Sequence, residues 1–396
     1  RRCRAFAHAP GRATPRHLIV SNKLREVTTS LTSCIDSSPK DVASVNFVPV
    51  PWDCTMSTFE HTGRNIHRTP DRMQDFAFNV DSVDIDLLEF GLPLPHRFGI
   101  NYDSTIAAET LQLNNTAAKL INPTRATGDE PASAYGLDPG SRLPQLSQDD
   151  IIEVNRLQDR QIDLLDQYVS ERLKSGVLVG VLGGDHSSSF GAMKSFGDFC
   201  ASKDETFGIL QIDAHVDLYP SYSELKGSHA SVMKRVLDEC QNLDSLVAVG
   251  IRELNEIELE VHAADPRHRI FSAAHMRQGL SDGVTWRKQA QQIVDALPRN
   301  VWVSLDIDGL DFQHCQGTGT PVPNGLEFWQ VVELLLEIHR SGRVLCGWDL
   351  VEVGMTPEGI GTGIRLAYKL AGLQLLGAGA RNAEHFALRG VTPQIR

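Results

Sequence analysis

Short apolar runs alternate along the chain with longer stretches whose apolar positions recur every three or four residues. VNFVPV (45–50), VLVGVLGG (177–184), ILQID (209–213), LVAVGI (246–251), VWVSLDID (301–308) and VLCGWDLVEV (344–353) read as strands. Between them lie helical stretches: Ser147 to Lys174, SSSFGAMKSFGDFCA, SHASVMKRVLDEC, VTWRKQAQQIVDALP, GLEFWQVVELLLEIHRSG and IRLAYKLAGLQLLG. Nearly continuous apolar strands separated by amphipathic helices predict an α/β fold, a three-layer α/β/α arrangement around a mostly parallel central sheet. In such sheets, ligands collect beyond the carboxyl ends of the strands.

Two segments break the rhythm. Residues 100–148 show little periodicity and much Asn, Thr, Gly and Pro, which predicts a long surface excursion. Near the start, Arg1, Arg2, Arg4, Arg12, Arg16, Lys23 and Arg25 precede the first acid, Glu26, and a Ser/Thr-rich stretch follows. Residues 1–42 therefore read as a disordered tail or an organelle transit segment, with one domain over 43–396.

Composition narrows the class. With 41% hydrophobic and 22% charged residues in 396, the balance is that of an ordinary globular chain. A net charge of -12 argues against a nucleic-acid surface and favours a cationic small partner. No apolar run reaches the length of a membrane span, so no membrane association is expected. Seven cysteines without a CxxC pair suggest reduced thiols. That predicts an intracellular location, cytoplasmic or, with a transit segment, mitochondrial or plastid.

The chemistry sits at strand ends. GGDHS carries His186, DAHVD carries Asp213, His215 and Asp217, and SLDIDGLD carries Asp306 and Asp308. The alternation of Asp213, His215 and Asp217 would send all three side chains to one side of an extended backbone. Four carboxylates in one pocket would repel one another and lose hydration, at several kcal/mol per buried ion. Two divalent cations would balance them. A set of two histidines and four aspartates is hard and oxygen-rich, which suits Mn²⁺ foremost and admits Co²⁺, Ni²⁺ or Zn²⁺.

These motifs, with SHAS, the TGTPVP that follows SLDIDGLD, and DLVEV, make the chain from about Val45 to Leu376 resemble the ureohydrolases, the family of arginase and agmatinase. The resemblance implies one metal held by His186, Asp213, Asp217 and Asp306. It implies a second held by His215, Asp213, Asp306 and Asp308, with Asp213 and Asp306 bridging. It further implies that a water activated between the metals attacks a guanidinium carbon and releases urea. His229 in SHAS would shuttle a proton, and Glu352 in DLVEV would pair with the substrate guanidinium. Asp217 counts both as a ligand and, with His229 and Glu352, among the catalytic groups. Trimers or hexamers are expected from the same resemblance.

The match departs from the arginase pattern at Tyr219, where arginases carry an Asn that contacts the amino-acid end of the substrate, and at Phe312, where the family has a proline. The long form resembles the agmatinase-like branch. Agmatine or a similar guanidino compound is the expected substrate, with free guanidine hydrolysis on Ni²⁺ as the alternative. A ureohydrolase-like scaffold without turnover is a third reading.

Overall fold

The computed structural model describes residues 44–55, 66–79, 84, 86–87, 93–121 and 146–379. The expected tail or transit segment, 1–42, lies outside the described residues.

Eight strands form one sheet: β1 (Val45–Val50), β2 (Ile100–Tyr102), β3 (Leu178–Gly183), β4 (Phe207–Ile212), β5 (Leu243–Ile251), β6 (His268–Ser272), β7 (Asn300–Asp306) and β8 (Val344–Val351). Their order is β2-β1-β3-β8-β7-β4-β5-β6, and every pairing is parallel. The longer helices are α1 (Thr69–Asn79), α2 (Ala107–Ile121), α3 (Gln148–Lys174), α4 (Phe190–Ala201), α5 (Val232–Glu239), α6 (Glu256–Ala264), α7 (Ala273–Ser281), α8 (Trp286–Val294), α9 (Phe328–Arg340) and α10 (Pro357–Gly377).

Successive strand residues point to opposite faces, and both faces are covered. Ile209 joins the core formed with α2, α3, α4 and α5, whereas Leu210 joins the one formed with α8, α9 and α10. This is the three-layer arrangement that the uninterrupted apolar strands predict. The helix expected from Ser147 starts there because the Ser147 hydroxyl accepts the Asp150 backbone N–H, satisfying a donor that the first turn leaves free.

The excursion expected over 100–148 is corrected at its start: residues 100–121 contain β2 and α2, and residues 122–145 lie outside the described residues. The helix was hidden because α2 buries small and polar residues, Thr110, Asn114, Ala117 and Ala118 among them, so its apolar stripe has little contrast. Helix α6 escaped for the opposite reason. Its Glu258 is buried while Ile257 and Leu259 are exposed, which inverts the usual signal.

Strand order positions the site. After β3 and β4 the chain passes to the α4 and α5 side, and after the intervening β8 and β7 it passes to the α10 and α9 side. Connections that leave in opposite directions open a crevice at the carboxyl ends of these central strands. Among the described residues no helix is long and apolar enough to cross a membrane.

Candidate metal centre

The ends of β3, β4, β7 and β8 deliver the side chains singled out in the sequence. His186 Nδ1 lies 2.9 Å from Asp217 Oδ2, 3.3 Å from Asp213 Oδ2 and 3.5 Å from Asp306 Oδ2. His215 Nδ1 lies 3.2 Å from Asp308 Oδ2 and 3.7 Å from Asp213 Oδ1. Two donor groups result, His186 with Asp213 and Asp306, and Asp213 with His215 and Asp308, in each of which the ligand atoms fall within 4.8 Å of one another. Asp213 belongs to both. Asp306 belongs to the first only, and Asp217 joins the site through His186.

Backbone donors aim these carboxylates. Asp213 Oδ1 accepts the His215 N–H at 2.7 Å, Asp306 Oδ1 accepts the Asp308 N–H at 2.9 Å, and Asp308 Oδ1 accepts the Ala214 N–H at 3.0 Å. One oxygen of each is thereby held, and the other is turned toward the histidines. Gln211 adds its amide, which donates to Asp213 Oδ2 at 2.9 Å. The loops can approach this closely because Gly309 has no side chain: a Cβ there would lie 2.6 Å from the Asp213 backbone nitrogen.

The expectation that Asp213, His215 and Asp217 share one side of an extended strand is not how they meet. Strand β4 stops at Ile212, and Asp217 adopts a positive φ of 54°. A turn, held where Leu218 N–H donates to Glu258, brings Asp217 back onto His186. Glu352 is a second left-handed residue, φ 57°, and its Oε1 accepts the His186 backbone N–H at 3.0 Å. Side chains other than Gly rarely adopt this conformation, and it clusters at functional sites.

Charge balance supports cation binding. Burial and the charge of Asp213 raise the Asp217 pKa to about 7. Burial, Asp308 and Asp213 raise Asp306 well above the carboxylate range, and burial with Asp306 and Asp185 does the same to Glu352. Burial opposes a charge on His186, yet the carboxylates of Asp213, Asp217 and Asp306 outweigh it and raise its pKa well above the imidazole value. Burial likewise opposes a charge on His215, and Asp308 and Asp213 outweigh it. Asp213 is lowered, because the charges of the two neighbouring histidines outweigh its burial. A pocket that takes up protons in this way has an excess of buried negative charge. His186 Nδ1, fully buried, has no hydrogen bond of proper geometry. An unsatisfied ring nitrogen facing three carboxylates fits a divalent cation.

His229 stands to one side, half-buried, with its backbone N–H donated to Thr55 Oγ1 at 3.2 Å. Its ring packs edge-on against Tyr222, which packs against Tyr219. Its pKa falls to about 4, mainly through burial, so the ring is neutral at neutral pH. That lies below the ordinary imidazole value of 6.5.

Other contributors were not assigned from sequence. Asp185 accepts from Ser187 and from Thr55, and so ties the GGDHS turn to the loop after β1. The Arg252 guanidinium donates to the carbonyls of Gly250, Asp308, Leu310 and Val322, stitching the Asp308 loop to its neighbours. Asp349 and Ser304 lie behind His186. A signal for Asp349 existed, an acid in the middle of the apolar run VLCGWDLV.

A model of the arginase family matches residues 124–373. The N(1)-aminopropylagmatine ureohydrolase of Thermus thermophilus is 34% identical over 233 residues, 56% of this chain and 72% of that protein. Arginase-1 of Homo sapiens is 26% identical, over 57% of this chain and 74% of its own. Among solved structures, an arginase from Medicago truncatula superposes with a TM-score of 0.59 at 20% identity, covering 89% of this chain and 98% of that one. At that identity the likeness speaks for the fold alone.

Proposed function

From the premise that this chain belongs to the arginase family, we propose that it releases urea from agmatine or a similar guanidino compound, using two divalent cations, Mn²⁺ foremost. It is a hydrolase of carbon–nitrogen bonds in linear amidines. The observation that carries the finer reading is the pair of donor groups sharing Asp213, with the Glu352 carboxylate anchored beside them.

His186, Asp213, Asp217 and Asp306 would hold one cation, and His215, Asp213, Asp306 and Asp308 the other. When bound, the cations offset the buried carboxylates and supply the Lewis acidity that activates a water. The residues do the rest. Glu352 has one oxygen fixed by His186 N–H, and its carboxylate suits the planar donor fork of a guanidinium. Water adds to the guanidinium carbon, the bond from that carbon to the alkylated nitrogen breaks, and the amine must leave with a proton. His229, neutral at rest, takes a proton from the solvent side or the intermediate and passes it to that nitrogen.

Free guanidine is the second reading, and one observation counts against an amino-acid substrate. Tyr219, Tyr222 and His229 form a run of edge-on rings where an amino-acid tail would need polar partners. Urea release measured across agmatine, guanidinobutyrate, arginine, formiminoglutamate and guanidine, with Mn²⁺ and with Ni²⁺, separates the readings. Release from arginine alone, or from none of them, would overturn the proposal.

A further inference from the structure

Behind the candidate ligand His186 runs a chain of polar atoms in an otherwise apolar layer. His186 Nε2 lies 2.9 Å from Ser304 Oγ, Ser304 Oγ donates to Asp349 Oδ1 at 2.8 Å, and Trp302 Nε1 donates to Asp349 Oδ2 at 2.6 Å. All four side chains are buried. The sheet register sets the spacing, since Ser304 pairs with Asp349 and Trp302 with Gly347 on adjacent β7 and β8. The indole can reach Asp349 because residue 347 is Gly: a Cβ there would lie 2.2 Å from the Trp302 ring.

We infer that Asp349, acting through Ser304, is a positioning residue that fixes the tautomer of His186 and with it the affinity of the centre for a cation. The inference rests on the reading of His186 as a ligand. An ionised carboxylate only accepts hydrogen bonds, and a serine hydroxyl has one proton. Ser304 gives that proton to Asp349 and must therefore accept from His186 Nε2–H. A neutral imidazole protonated at Nε2 keeps its lone pair on Nδ1. That is the nitrogen facing Asp213, Asp217 and Asp306 without a hydrogen bond. The relay also holds the ring plane, as supporting partners of ligating histidines do.

Asp349→Asn tests the direction of the relay with almost no change of volume. An amide can donate to Ser304, which would then donate to Nε2 and put the ring proton on Nδ1. On the full chain, stripped by chelation and titrated calorimetrically with Mn²⁺, Asp349→Asn and Ser304→Ala should each weaken binding about 10–100-fold. Ser304→Thr, which keeps the hydroxyl, should restore most of the affinity. Folded Asp349→Asn and Ser304→Ala chains that bind Mn²⁺ like the wild type would overturn the inference. If neither variant folds, ¹⁵N spectra of the wild-type chain loaded with diamagnetic Zn²⁺, with His186→Ala for assignment, decide: Nε2–H supports it and Nδ1–H overturns it. A wild type that binds Mn²⁺ but releases no urea defeats the proposed reaction and leaves the relay standing, whereas a wild type that binds no Mn²⁺ overturns both.

Discussion

Glu352 and His186 are fixed to each other: the carboxylate after β8 accepts the backbone N–H of the histidine after β3, at 3.0 Å. The group proposed to pair with the substrate is therefore tied by a hydrogen bond to a proposed metal ligand. Glu352→Gln keeps an acceptor for that N–H and removes the charge that the carboxyl would take on once cations offset Asp306 beside it. Hydrogen bonds to charged groups contribute about 1.5–3 kcal/mol, so kcat/KM should fall about 10–100-fold. Mn²⁺ content should stay at the wild-type level. Unchanged kinetics would remove Glu352 from the substrate site.

Asp213 is shared by the two donor groups, whereas His215 belongs to one. Asp213→Ala should abolish tight binding of both cations, and His215→Ala chiefly that of one. Asp306→Ala should also weaken both if Asp306 bridges as proposed. Metal content by plasma emission after dialysis measures each. Two tightly held ions in Asp213→Ala would refute the ligand assignment.

His229→Ala should keep both metals, since the side chain contacts Ser228 and Tyr222 rather than the ligands. General acid–base groups contribute about 10²–10⁴-fold in rate, so turnover should fall within that range. Urea release and metal content on one sample distinguish a shuttle from a structural residue. Full occupancy with full turnover would mark it as structural.

Proton competition gives the centre a pH dependence. Without cations, burial and Asp213 hold Asp217 at about 7, and His186 stays protonated well above the imidazole range despite its burial. Raising the pH strips these protons from the free site, so Mn²⁺ affinity should rise between about pH 6 and about pH 8, with proton release detectable in buffers of different ionisation heat. Stability of the metal-free chain should move the other way. Asp217 in the unfolded chain loses its proton near 3.8, so the folded form binds more protons between that value and about 7. The raised pKa of His186 acts in the same sense, and the lowered His229 opposes it only below its ordinary 6.5, so melting temperature should fall as pH rises through about 6.5–8. A metal-free melting temperature that climbs across this window would contradict the charge balance.

Gly309→Ala should disturb the centre without touching a ligand. The added carbon would meet the backbone of Ile212 and Asp213, which cannot swing aside as a side chain can. Overpacking of this kind costs about 1–3 kcal/mol. A lowered melting temperature with weakened Mn²⁺ binding is expected, and wild-type values in both would show that the loops have slack.

Periodicity by itself determined the parallel sheet and its covering helices, because strands buried on both faces must be apolar throughout and the helices between them must be amphipathic. The motifs at strand ends likewise marked His186, Asp213, His215, Asp217, Asp306 and Asp308 as candidates, and the fold brings these side chains together. Elements whose burial is polar or inverted, such as α2 with Asn114 and α6 with Glu258, left no such mark. Only the tertiary structure decided how the site closes. The left-handed turn at Asp217, the bond from His186 N–H to Glu352 and the Ser304–Asp349 pairing join residues far apart in the chain. Alternation in one strand carries no information about register with another, and a buried carboxylate acquires its role only from the donors that the neighbouring strand places against it.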